Sequence, residues 1–198
     1  MIVIGLAGGS GSGKSTISTL FSRYNILPIN TDEVYRNLTS SITPCLIELA
    51  NEFGKDIITD DLVLDRARLR EIVFTNKDKH NKLNEISHRH VLSSVREMIS
   101  SASKLGLNGV IVDAPMLFES GFDKECDYLV AVIAPVDLRV KRIKERDGIT
   151  ETKAIERIKH QIPDEELIEK VDFVIDNSCN IEYVENVVLD IVNKINNK

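Results

Sequence analysis

Residues Gly8–Ser15 read Gly-Gly-Ser-Gly-Ser-Gly-Lys-Ser. They sit between an apolar run, Ile2-Val3-Ile4-Gly5-Leu6-Ala7, and a stretch from Ser15 to Phe21 that continues as a helix. Strand, glycine turn and helix in that order is the opening of a βαβ unit, and the spacing G-x-x-x-x-G-K-S is that of a phosphate-binding loop. Glycines allow backbone N–H groups to converge on an anion with no Cβ in the way, and the helix beginning near Gly13 adds its positive end. Lys14 then carries charge to the β- and γ-phosphates, and the Ser15 hydroxyl is placed to ligate Mg²⁺. A plain turn needs neither the Lys-Ser pair nor this glycine spacing. The loop therefore names a ligand, a nucleoside triphosphate such as ATP with its Mg²⁺, held by Gly9, Ser10, Gly11, Ser12, Gly13, Lys14, Ser15 and Thr16.

The rest of the chain supports an α/β fold. Short apolar segments at Ile2–Ala7, Ile26–Ile29, Val110–Val112, Tyr128–Ile133 and Phe173–Ile175 are mostly apolar at successive positions, as strands buried on both faces are. Helical stretches at Lys14–Arg23, Pro135–Glu145 and Ile181–Lys194 alternate with them, which predicts a parallel sheet with helices on both faces. The connection from Ile29 to Val110 is too long for a loop. Apolar residues recur there at helical spacing, in Leu46-Ile47-Leu49-Ala50-Phe53, Leu69-Ile72-Val73 and Leu83-Ile86-Val91-Leu92-Val95-Met98-Ile99. The expected organisation is a nucleotide-binding core, 1–33 and 109–198, a helical acceptor-binding insertion, 34–108, and a charged helical lid, 141–163, within the core. The tail Asn193–Lys198 is expected to fray.

Carboxylates and guanidinium groups fall where phosphoryl transfer needs them. Asp32 is read as ending the second strand, where α/β sheets bind ligands, and as the base that accepts the acceptor's proton; the bland alternative is a helix N-cap. Asp113 closes Gly109-Val110-Ile111-Val112 and would sit near Mg²⁺. Arg142 and Arg146 are four apart on one helical face, suited to stabilising charge on the transferring group. His88-Arg89-His90 lacks the partners of a metal site, and Asn76-Lys77-Asp78-Lys79 has its Asp one place early for a guanine-binding motif.

Composition narrows the partners. The net charge of −6 argues against nonspecific binding to nucleic acid or to a membrane surface. The start of the chain has no signal-peptide pattern and no run reaches the length of a span. Cys45, Cys126 and Cys179 are scattered thiols in no metal or disulfide pattern, which points to the cytoplasm. No obligate protein partner is evident; the partner expected is a small-molecule acceptor. A nucleoside or nucleotide kinase and a regulatory NTPase are the rival readings, but the long insertion and Arg-bearing lid suit a substrate site that closes against water.

With these residues assembled, the chain resembles the dephospho-CoA kinase family almost end to end. Gly5–Thr16 is close to the family opening. Asn30-Thr31-Asp32 with Arg36, Asp65-Arg66 with Leu69 and Phe74, and His88 fall on family motifs. So do Asp113-Ala114-Pro115-Met116-Leu117-Phe118-Glu119, the lid pattern Arg142, Arg146-Asp147-Gly148, Arg157 and Gln161, and Asp172–Asn177. The chain departs from the family at Asn30, Arg89, Arg139, Leu167 and Cys179, where Asp, Pro, Gln, Lys and Gly are usual. Asn30 cannot act as a base, which concentrates that role on Asp32. The resemblance implies a P-loop NTPase three-layer sandwich with strand order 2-3-1-4-5. It also implies ATP-dependent phosphorylation of the ribose 3′-hydroxyl of dephospho-CoA. Asp32, Lys14 and Arg142 are then catalytic, and Arg146 joins the ATP side. Asp32, Arg36, Asp65, Arg66, His88, Pro115, Leu117 and Glu119 meet the acceptor, and Ser15 and Asp113 the metal.

Overall fold

The structure, a computed structural model, describes residues 1–74 and 76–197. Lys198, the last residue of the tail expected to fray, lies outside the described residues. The chain runs β1 (Ile2–Ala7), α1 (Lys14–Phe21), β2 (Ile26–Asn30), α2 (Thr31–Leu38), α3 (Pro44–Phe53), α4 (Arg66–Phe74), α5 (Lys77–Lys104) and β3 (Gly109–Asp113). It continues with β4 (Tyr128–Ile133), α6 (Val136–Asp147), α7 (Glu151–Lys159), α8 (Asp164–Ile168), β5 (Phe173–Asp176) and α9 (Ile181–Asn196). The five strands lie in the order β2-β3-β1-β4-β5. Every residue of β3 and the last four of β1 are buried, which is why these strands carry apolar side chains at consecutive positions. The expected fraying from Asn193 does not occur before Asn196: Ile191, Val192 and Ile195 are buried and hold the last turns of α9 down.

Contacts divide the chain into two compact units, Met1–Ile29 with Ser101–Lys198, and Asn30–Ser100. In the first, α1 contributes Ile17, Leu20 and Phe21, and α9 contributes Val184, Val188, Ile191, Val192 and Ile195, to one core against Ile4, Leu6, Ile111, Val130 and Val132 of the sheet. The α9 residues are three or four apart, the spacing that puts them on one face. In the second unit, α3, α4 and α5 share a separate core built on Leu46, Leu49, Phe53, Leu69, Val73 and Ile86. Thr43 caps α3 by accepting the Leu46 N–H, and Pro44 occupies its first turn, where a missing N–H is harmless. Ile47, grouped with that apolar stripe in the sequence, faces outward at 47% exposure.

The end of β2 corrects one expectation. The strand stops at Asn30, and Asp32 lies in the first turn of α2. The cap is Asn30, whose Oδ1 accepts the Glu33 N–H at 3.1 Å, so Asp32 is neither strand end nor N-cap. A residue three places from a backbone donor with an extended conformation captures the cap, and here that residue is Asn30.

Candidate active site

The register of the sheet builds the phosphate site. Leu6 of β1 pairs with Asp113 of β3, so Asp113 emerges at the strand end level with the start of the loop. Lys14 folds back over the loop, donating to the Gly8 carbonyl at 2.9 Å and standing 3.8 Å from Asp113 Oδ1. Both side chains are largely buried, at 13% and 7% exposure, so their attraction is little screened. Gly13 begins α1 at φ 99°, a conformation few side chains tolerate, and a Cβ there would stand 2.0 Å from Asn177 Nδ2.

A loop whose N–H groups converge must turn carbonyls outward, and outward carbonyls need donors. Arg142, from α6, supplies them: Nη1 donates to the Gly11 and Ser12 carbonyls at 3.2 Å, and Nη2 to the Asn177 carbonyl at 3.0 Å. Asn177 Nδ2 adds a 2.7 Å bond to the Ser12 carbonyl. Because a trans peptide sets C=O and the following N–H antiparallel, gripping the Ser12 carbonyl from outside aims the Gly13 N–H inward. The Ser12 hydroxyl is wholly buried with no hydrogen-bond partner among the described residues.

The other expected residues separate into groups. Ser15 and Thr16 are exposed at the start of α1. Arg146, one turn beyond Arg142, is 61% exposed and holds Asp147 through two bonds; Asp147 also accepts from Arg157. These bonds, Arg146 first, hold the Asp147 carboxyl well below the usual carboxylate range. They tie α6 to α7, whose apolar faces meet at Val140, Ile143 and Ala154. Pro115 and Glu119 are exposed. Leu117, expected to touch the acceptor, is 1% exposed and packs beside Gly5, so it is a core residue: its apolar side chain is already removed from water by the protein itself.

In the second unit, Asp32 and Arg36 are exposed and one turn apart on α2. Asp65 Oδ1 accepts the Arg68 N–H at 2.9 Å, the arrangement of an N-cap for α4. Arg66 stacks over the Tyr35 ring at 5.4 Å and donates to Thr39 Oγ1 at 2.9 Å. Burial pushes the Tyr35 phenol up, keeping it a neutral donor. Tyr35, Arg66 and Leu69 line a cavity of about 790 Å³, together with Arg70, Lys77 and His80. His88 is half-buried, while His90 contacts Glu48 at 2.7 Å. Three members of these sites were not singled out for a role from the sequence: Arg139, Gln161 and Asn177. Arg139 precedes Arg142 by three residues, so helical spacing alone places it on the same face.

A family model for dephospho-CoA kinase matches residues 2–183. The chain belongs to the dephospho-CoA kinase family. It is 36% identical over 192 residues to the dephospho-CoA kinase of Carboxydothermus hydrogenoformans, covering 97% of this chain and 93% of that one. To that of Listeria innocua it is 36% identical over 196 residues, covering 98% of each. A solved dephospho-CoA kinase from Campylobacter jejuni has the same fold, with a TM-score of 0.71 at 24% identity over 98% of this chain and 96% of that one. Shikimate kinase from Acinetobacter baumannii, solved with shikimate, shares the fold more distantly, with a TM-score of 0.53 at 16% identity over 98% and 93%. Membership carries the family's activity: this kinase is a phosphotransferase with an alcohol acceptor, and it phosphorylates the ribose 3′-hydroxyl of dephospho-CoA at the expense of ATP, the last step of coenzyme A synthesis.

Proposed function

We propose the following division of labour within the kinase reaction. The loop Gly8–Ser15 and the N-terminus of α1 hold the triphosphate through inward N–H groups, with Lys14 countering the charge of its β- and γ-phosphates. Arg142 serves this site by turning the loop carbonyls outward. The observation that carries the reading is that grip: two outward carbonyls held by a partly buried fork of donors make an anion cradle of the backbone between them.

Mg²⁺ fits the residues present. It keeps several waters and takes one or two protein oxygens beside substrate phosphates, and Ser15 and Asp113 supply oxygens of that kind. Among the described residues no group of three or more His, Cys, Asp or Glu could cage a metal, which a phosphate-shared Mg²⁺ does not require. When bound, the ion would neutralise charge on the β- and γ-phosphoryl oxygens.

On the acceptor side, Asp32 is assigned the 3′-hydroxyl proton. Its exposure leaves it accessible to a substrate, and Asn30 relieves it of capping duty. The cavity beside Tyr35 fits the remainder of dephospho-CoA: its volume is that of a small-molecule site, and Arg66, Arg70 and Lys77 set cationic groups around an apolar wall, as a diphosphate with a long uncharged arm requires. Arg36, Asp65 and His88 support this side, with Pro115 and Glu119 at the rim of the β3 loop. The reaction is assigned to the cytoplasm, supported by three free cysteines and by no helix among the described residues being long and apolar enough to cross a membrane. The test is Asp32→Asn in a coupled ADP-release assay. The expected result is a kcat loss of about 10²–10⁴ with the KM for ATP within threefold; a loss of only a few-fold would remove Asp32 from the chemistry.

A further inference from the structure

Ser10 is held differently from the rest of the loop. All three of its polar atoms are engaged from outside. Its carbonyl accepts from Arg139 Nε at 3.0 Å, its N–H donates to Gln161 Oε1 at 2.9 Å, and its hydroxyl accepts from Gln161 Nε2 at 2.9 Å. The two partners are themselves joined, Arg139 Nη2 donating to Gln161 Oε1 at 2.9 Å, and Arg139 Nη1 reaches Asp164 Oδ1 at 3.2 Å. Arg139 is 3% exposed. A buried guanidinium is costly unless every face of the fork is used, and here each terminal nitrogen and Nε has its own acceptor. The fit leaves no slack: a Cβ on Gly9 would lie 1.9 Å from Arg139 Nη2.

The consequence follows from peptide planarity. With the Ser10 carbonyl pinned on the Arg139 side, the Gly11 N–H of the same peptide points the opposite way, into the loop. With the Ser10 N–H also fixed, the preceding peptide cannot flip either. We infer that Arg139 and Gln161 are positioning residues for ATP: together they set the Gly9-Ser10-Gly11 peptides and couple the loop to the segment from α7 to α8. Arg142 and Asn177 set the Gly13 N–H; Arg139 sets the Gly11 N–H. The inference rests on the loop being the ATP site. It makes the loop's affinity for triphosphate depend on the turn at Gln161 and on Asp164, residues that belong to other elements.

Steady-state kinetics of the whole chain test it, with ATP and dephospho-CoA varied in turn. Arg139→Met, which keeps length and removes the fork, raises the KM for ATP by about tenfold and leaves that for dephospho-CoA within twofold. Arg139→Lys recovers only part of this, because an ammonium cannot serve three acceptors. Gln161→Ala raises the KM for ATP by about fivefold alone but by less than twofold on top of Arg139→Met, since the two side chains are bonded to each other and hold the adjacent peptides of the one residue, Ser10. A cooperatively folded Arg139→Met protein with an unchanged KM for ATP overturns the inference, and so do multiplicative effects in the double variant. If Arg139→Met does not fold, Gln161→Ala decides: a lowered melting temperature with both KM values unmoved refutes positioning. If the parent turns over no dephospho-CoA, the acceptor reading fails instead, and titration of the same variants with a non-hydrolysable ATP analogue still reads the coupling.

Discussion

Replacing Gly13 by Ala sets two separable penalties against each other, and a second substitution can remove one of them. The backbone of Gly13 is at φ 99°, ψ 23°. An L-residue held there costs ~1–3 kcal/mol. The new Cβ would also stand 2.0 Å from Asn177 Nδ2, so that amide must move. Moving it breaks the 2.7 Å bond to the Ser12 carbonyl inside a region where Asn177 is 8% exposed. A buried donor left without a partner costs ~1–3 kcal/mol, so Gly13→Ala alone is expected to lose about 4 kcal/mol. Asn177→Ala removes donor and bond together. The Ser12 carbonyl keeps Arg142 Nη1 at 3.2 Å, so no group is stranded. That single variant is expected to lose about 1 kcal/mol. In the double variant no amide stands in the way, so the backbone strain of ~2 kcal/mol adds only to the ~1 of the lost bond, and the loss is about 3 kcal/mol instead of an additive ~5. Urea unfolding followed by circular dichroism reads these values, since the chain has no tryptophan. A shift of midpoint at constant m-value isolates stability. Additivity within ~0.5 kcal/mol would refute the steric argument, because it would mean the loop yields elsewhere and Asn177 does not face Gly13.

Other expectations follow from individual contacts. Asp147 titrates below the ordinary carboxylate range because Arg146 and Arg157 hold its charged form. Its contribution is therefore full above pH ~4 and lost as pH falls through the folded value, so the melting-temperature gap between parent and Asp147→Asn narrows below pH ~4. A gap unchanged from pH 6 to pH 3 would show that ion pairing is not its source. Burial pushes the Cys45 thiol up to about 11 and the Cys126 thiol up to about 12, while Cys179 is exposed. Iodoacetamide at pH 8 should label Cys179 alone in the folded protein and the other two only in denaturant; rapid labelling of Cys126 would contradict the packing beside Gly5. Arg66→Ala, which removes the cation over Tyr35, should raise the KM for dephospho-CoA about tenfold with the KM for ATP unmoved. Equal effects on both would place Arg66 outside the acceptor cavity.

The donor half of the site was readable from the chain because its chemistry is local. Gly8–Ser15 is one contiguous segment, and the strand before it and helix after it are encoded by their own periodicity. β1 and β4 have the expected bounds, and the insertion is helical. Asp32 was harder. Whether a polar residue ends a strand or enters a helix depends on which neighbour captures the cap, and Asn30 and Asp32 are equally competent until the backbone chooses. Leu117 looked like a contact residue because it lies in a motif, but motif membership says nothing of which way a side chain turns.

The order of residues along the chain decided what kind of ligand this protein holds, since an anion cradle is made by glycine spacing, a lysine and a helix start within a single turn of backbone. It decided the class of fold for the same reason: periodicity is a property of neighbours. What makes the cradle rigid is not local. The groups that hold it lie more than a hundred residues away in sequence: Arg139, Arg142 and Asn177 donate to its outer carbonyls, and Gln161 accepts the Ser10 N–H. Helical spacing puts Arg139 and Arg142 on a common face, but only the tertiary fold decides that this face meets Ser10–Ser12 and not solvent. A guanidinium is equally at home in water, and nothing short of the tertiary contact distinguishes Arg139, which is buried, and Arg142, which is partly so, from Arg146, which is exposed.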